Sequence, residues 1–171
     1  MNRMPEIARR SRRNGFTLME LLIVMAIIAI LMLIGIPTTR SLMKQSHELS
    51  AKKSIQTIEQ AQMMYAGNYP SKGYACNLTA LGGDPGQGAP SAAGAQILPE
   101  DLAKGNKSGY NFAITACNKS TQDGSERVTG YTITAVPEVV GKTGDRGYCA
   151  DEGGVLKLDP SGGKNCTETV Q

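Results

Sequence analysis

Between Phe16 and Ile36 the chain is apolar at nearly every position, and the one carboxylate in that stretch, Glu20, sits close to its start. About 21 residues of helix span roughly 31 Å, enough for the hydrocarbon core of a bilayer, so residues 16–36 read as a membrane anchor. An acid at the centre of such a helix costs on the order of 2.5–3.5 kcal/mol on insertion scales, and near an end snorkelling lowers that cost. A carboxylate among leucines and isoleucines therefore calls for a compensating partner.

The residues around that acid are specific. Arg12-Arg13-Asn14 precede Gly15-Phe16-Thr17-Leu18-Met19-Glu20-Leu21-Leu22-Ile23-Val24, and Gly35-Ile36-Pro37 close the run. This pattern resembles the class III signal of type IV pilins and type II secretion pseudopilins. The resemblance implies cleavage by a prepilin peptidase after Gly15, N-methylation of the new amino terminus at Phe16, and assembly in which Glu20 meets the amine of Phe16 on a neighbouring subunit. It also implies a loosening of the helix at Gly35 and Pro37 inside a filament, and an assembly platform with its ATPase. The electrostatics of the pairing stand on their own, since a carboxylate and an ammonium removed from water attract far more strongly than in bulk solvent.

Charge orients the chain. The whole chain has a formal charge of +3, but Arg3, Arg9, Arg10, Arg12 and Arg13 stand against only Glu6 before Gly15, so the remainder is about −1. Arginines ahead of an apolar run keep the N-terminus cytoplasmic and send the rest outward, to the periplasm or exterior. An ordinary secretory signal is disfavoured because Ile34-Gly35-Ile36-Pro37 offers no small-residue cleavage pattern, and a twin-arginine signal because Asn14-Gly15 displaces Phe16. With no basic stripe after residue 15 and no tryptophan, nucleic-acid binding is not predicted.

Cys76, Cys117, Cys149 and Cys166 all lie in the part expected to be exported, where disulfides persist. Sequence leaves three connectivities open. Loop length and a C-terminal hairpin favour Cys149 with Cys166, which leaves Cys76 with Cys117. A zinc site is disfavoured by the absence of a C-x-x-C pair and by the position of the sole histidine, His47.

Five segments follow: a leader at 1–15, the apolar helix at 16–36, an amphipathic helix at 37–70, a Gly/Pro/Ala-rich loop at 71–107, and a sheet region at 108–171. Leu42, Leu49, Ile55, Ile58 and Tyr65, with Ala51, Ala61 and Gln62, define the buried face of a helix expected to run to about Ala66. Lys44, Glu48, Lys52 and Gln56 define its wet face, with Glu48 to Lys52 as a weak surface pair. Pro37 removes a backbone donor and, with Gly35, predicts a bend or hinge. Short helical turns are expected at 77–81 and 99–103. Alternation predicts strands at 110–116 and 131–135, and turn residues bound two more at 146–151 and 155–158. The expected fold is α+β, a long N-terminal helix packed on a small four-stranded antiparallel sheet.

A single histidine and no phosphate-cradling glycine motif argue against an enzyme. No cofactor or metal is expected: Asp145, Asp151, Glu152 and Asp159 fit no defined calcium loop and read as solvated turn residues. The resulting expectation is a structural prepilin, processed after Gly15 and polymerised through its N-terminal helix with other pilin subunits. It resides as a single-span inner-membrane protein in lipid before assembly, then in a periplasmic or extracellular filament. A secretion pseudopilin, or a signal-anchored binding domain that never polymerises, are the alternatives.

Overall fold

The computed structural model describes residues 16–84, 86, 88–122 and 124–170, with side chains throughout except at 34–38, 122 and 125. The leader and Gly15 lie outside this set. The chain divides into two units between Thr39 and Arg40. A single α-helix assignment, α1 (Leu18–Asn68), contributes to each.

In the first unit α1 opens at Thr17 and carries leucine, isoleucine, methionine and alanine, residues that are either strong helix formers or tolerated ones. All side chains described from 16 to 33 are exposed. Among the described residues no helix is long and apolar enough to cross a membrane. The span expected at residues 16–36 is therefore not found among the described residues, and positions 34–36 of it lie outside the described side chains. Gly35 and Pro37 fall within the helical assignment, but their side-chain surroundings are likewise outside the described set.

In the second unit, residues 51–65 of α1 lie against an antiparallel sheet. The sheet has six strands, in the order β1-β2-β3-β4-β5-β6: β1 (Asn106–Lys107), β2 (Tyr110–Gln122), β3 (Ser125–Pro137), β4 (Gly147–Asp151), β5 (Leu156–Asp159) and β6 (Glu168–Thr169). The four-stranded expectation is therefore corrected to six. The two extra strands are two-residue polar edges, too short to show any alternation. Strand β2 also runs well past the expected 116, because Asn118 to Gln122 are polar yet pair with Ser125 to Gly130, a ribbon in which most of the described side chains are exposed. Register shifts occur between Ile114 and Ala116 and between Asn118 and Lys119.

The core follows from two periodicities. Ala51, Ser54, Ile55, Ile58, Ala61, Gln62 and Tyr65 recur at three- and four-residue spacing and are all buried; facing them are alternate residues of the sheet, Tyr110 and Phe112, Tyr131 and Ile133 and Ala135, then Tyr148 and Ala150. Leu42 and Leu49, expected on the buried face, are instead 60% and 56% exposed. Their places toward the sheet are taken by Lys44, His47 and Glu48, which are partly buried through polar contacts.

Segment 71–107 closes the side of this core. It contains α2 (Leu78–Leu81) and α3 (Glu100–Ala103), which send Leu78, Leu81 and Leu102 inward. Asn77 caps α2 through its side chain, accepting from the N–H of Ala80 at 2.7 Å. Gln62, fully buried, binds both backbone groups of Ala75: its amide donates to the carbonyl and its oxygen accepts from the N–H, each at 2.8 Å. Without that pairing a strand-like peptide group would be stranded in the interior. Disulfides join Cys76 to Cys117, with Cα atoms 5.8 Å apart, and Cys149 to Cys166 at 5.9 Å.

Candidate functional site

The segment singled out by its carboxylate begins with a reciprocal cap. The Thr17 N–H and hydroxyl both donate to Glu20 Oε2 at 2.9 Å, and the Glu20 N–H donates to Thr17 Oγ1 at 3.2 Å. This is the capping-box arrangement, in which the third helical residue reaches back to the capping residue and two orphan amide donors are satisfied together. Thr-x-x-Glu at 17–20 is the signal that reading Glu20 only as an intermolecular ion would overlook. The cap holds the carboxylate against the peptide nitrogen that directly follows Phe16, where the positive end of the helix dipole also favours an anion.

Around that anion the surface is greasy. Phe16 is 85% exposed and Leu18 84%, and large apolar side chains continue on all sides of the helix to Leu33. Apolar exposure on this scale marks a surface made to be covered, by lipid or by protein. Glu20 is bonded to Thr17, the residue that follows Phe16 in the chain. Gly15 lies outside the described residues, and so does the side-chain context of Gly35 and Pro37.

A second polar cluster occupies the second unit, where α1 meets the β3–β4 connection. Lys44 Nζ lies 2.8 Å from Asp145, His47 Nδ1 lies 3.1 Å from the Thr143 carbonyl oxygen, and Glu48 accepts from the Asp145 N–H at 3.0 Å and the Tyr148 hydroxyl at 3.1 Å. Lys52 stands 5.3 Å over the Tyr148 ring. The expected Glu48–Lys52 surface pair gives way to these contacts, because both side chains have partners on the sheet side. Burial, with Glu48 beside them, pushes the Tyr110 and Tyr148 phenols well up. Burial also pushes Tyr131 up to about 12. Two of these phenols hydrogen-bond in the core: Tyr110 donates to the Arg146 carbonyl at 2.9 Å and Tyr148 to Glu48 at 3.1 Å.

The four acidic residues considered for calcium are dispersed. Asp145 pairs with Lys44, Asp151 approaches Lys157 at 3.5 Å, and Glu152 accepts from the Tyr131 N–H. Asp159 accepts from Ser161 and Asn165, which hold its carboxyl below the usual carboxylate range. Among the described residues no three His, Cys, Asp or Glu side chains are placed to share a metal ion.

The capped helix start with its exposed apolar side chains is followed in the chain by a disulfide-closed α+β unit. Residues 10–36 match the family described as the prokaryotic N-terminal methylation motif, the prepilin-type cleavage and methylation signature of type IV pilins and pseudopilins. No curated protein and no solved structure gives a match.

Proposed function

We propose that this chain is a prepilin, the structural subunit of a type IV pilus, cut after Gly15 by a prepilin peptidase and N-methylated on Phe16. Before assembly the apolar segment holds it in the inner membrane by a single span. An ATP-driven platform then extracts it into a filament with other pilin subunits, where helix–helix packing replaces lipid contacts. The role is structural rather than catalytic. The observation that carries this reading is the methylation motif at residues 10–36, and the cap that bonds Glu20 to Thr17, next in the chain to Phe16, supports it. In the filament the Glu20 carboxylate would take the Phe16 ammonium of a neighbour, and removing one partner of such a desolvated pair is costly.

The long connecting segment favours a subunit exposed outside the cell over a secretion pseudopilin, which shares every N-terminal feature; the two disulfides fit either oxidising compartment. The test combines mass spectrometry of the mature N-terminus with electron microscopy of cells expressing Glu20→Ala. The expected result is a methylated Phe16 start and loss of filaments with cleavage intact. A mature chain starting elsewhere overturns the processing claim, and undiminished filaments overturn the assembly claim.

A further inference from the structure

The two ends of the β3–β4 hairpin carry opposite charge. At the closed end the connecting residues 138–146 meet α1, where Arg40, Lys44 and His47 are spaced to share one helix face. They line a cleft of about 480 Å³ with Lys142 and Thr143. Among the described residues no carboxylate lines it. Lys44 is neutralised by Asp145 at 2.8 Å, whereas Arg40 and Lys142 are exposed and form no salt bridge among the described residues. The loop wall is fixed: the N–H groups of Lys142 and Thr143 donate to the Val139 carbonyl at 3.0 Å, and His47 Nδ1 lies 3.1 Å from the Thr143 carbonyl oxygen.

At the open end of the hairpin acids gather. Asp151 ends β4, in register with Thr132, and Glu152 Oε2 accepts from the neighbouring Tyr131 N–H at 3.2 Å. Glu59 on α1 joins them: burial and then the Asp151 charge raise its carboxyl, and Glu59, Glu152 and Asp151 all add to the burial that raises the Tyr131 phenol. Lys157 approaches Asp151 at 3.5 Å. Glu152 is exposed, and among the described residues no cation pairs with it or with Glu59.

A unit that is cationic at one end and anionic at the other complements a copy of itself shifted along its own length. Such a head-to-tail contact uses different patches on the two partners, so it repeats without closing. We propose that the acidic end of one copy, led by Glu152, docks in the Arg40–Lys142 cleft of the next. The proposal deepens the filament reading above and rests on it for its setting. Glu59 lies about 18 Å of helix beyond His47, so the contact sets neighbouring copies apart along α1 by about that length or more. Charge complementarity of this kind fixes register and direction more than it adds affinity.

The test is zero-length carbodiimide coupling, which joins a lysine amine to a carboxylate only where the two touch. Within one copy Lys142 and Glu152 lie beyond opposite ends of β4, whose five residues span about 17 Å, so a bond between them joins two copies. Filaments sheared from cells should give a ladder of multimers whose cross-linked peptides join Lys142 to Glu152. Glu152→Gln should abolish those peptides. Arg40→Gln should lower their yield about two- to fivefold, the weight of one exposed ion pair. About 1 M salt, which screens charges beyond about 3 Å, should lower it likewise. The exchange Lys142→Glu/Glu152→Lys should restore the ladder through the reversed pair, which a merely unfolded variant would not do.

Filaments in which Lys119 couples to Glu126 within each copy while Lys142 joins no Glu152 overturn the docking and leave the filament reading intact. Products that stop at the dimer also overturn it, and assign a closed two-fold pair. If cells make no filaments, the filament reading fails and the full chain concentrated in neutral detergent micelles decides the docking. There the Lys142–Glu152 ladder upholds it, and monomers overturn it.

Discussion

The Tyr148 hydroxyl in β4 donates to a carboxylate oxygen of Glu48 in α1 at 3.1 Å, and the Tyr148 side chain is fully buried. This bond ties helix to sheet where Leu49 faces away. Hydrogen bonds to charged groups contribute about 1.5–3 kcal/mol, and the partly exposed carboxylate places this one at the lower end. Tyr148→Phe should lower stability by about 1–2 kcal/mol in urea unfolding. An unchanged midpoint would remove the bond from any account of the fold.

Thr17 is expected to matter through its hydroxyl. Thr17→Ala deletes both side-chain arms of the cap, at a cost of about 1 kcal/mol to the helix start, while Thr17→Ser keeps them. Filament yield should fall in the alanine variant and recover in the serine variant. Equal yields would mean that Glu20 needs no positioning by its own helix.

Glu59 gives a pH signature. Its Oε1 is buried with no hydrogen-bond partner, and desolvation, then the nearby Asp151 carboxylate, raises its pKa. A raised carboxyl binds its proton more tightly in the folded state. Its favourable contribution is therefore full below the ordinary carboxylate range, about pH 4, and is lost as pH rises through the raised value. Glu59→Gln should then unfold at higher urea than the parent at pH 7, with the difference closing near pH 4. A difference that does not depend on pH would count against this assignment.

The two disulfides should differ in weight. Chain-entropy arithmetic for separations of 41 and 17 residues gives about 4 kcal/mol for Cys76–Cys117 and about 3 kcal/mol for Cys149–Cys166. Paired serine substitutions at each bridge, compared by thermal unfolding, should preserve that order. The opposite order would show that native-state effects outweigh loop closure.

Much of this architecture was legible from periodicity. The spacing of Ile55, Ile58 and Tyr65 located the buried stripe of α1, and the alternation of Tyr131, Ile133 and Ala135 located the inner face of β3, because each has apolar residues on one side only. Leu42 and Leu49 misled for a definite reason: hydropathy does not register that Lys44, His47 and Glu48 find polar partners on the β3–β4 connection, which turns the helix face there. The outer ribbon escaped notice because neither of its faces is apolar, although Asp123-Gly124 carries a hairpin signal in the sequence. At the candidate site, Glu20 stood out by its charge. Its cap did not, since a charge among apolar residues draws the search for a partner away from its own chain.

Gln62 recognises Ala75 solely through main-chain groups. A clamp that reads no side chain is indifferent to what the strap beyond it is made of, provided the peptide unit arrives at the right height. The stretch between that clamp and β1 is fastened again by the Cys76–Cys117 bridge and by Leu78, Leu81 and Leu102 in the core, so a new side chain is tolerated there only on the outward positions between those fixed points.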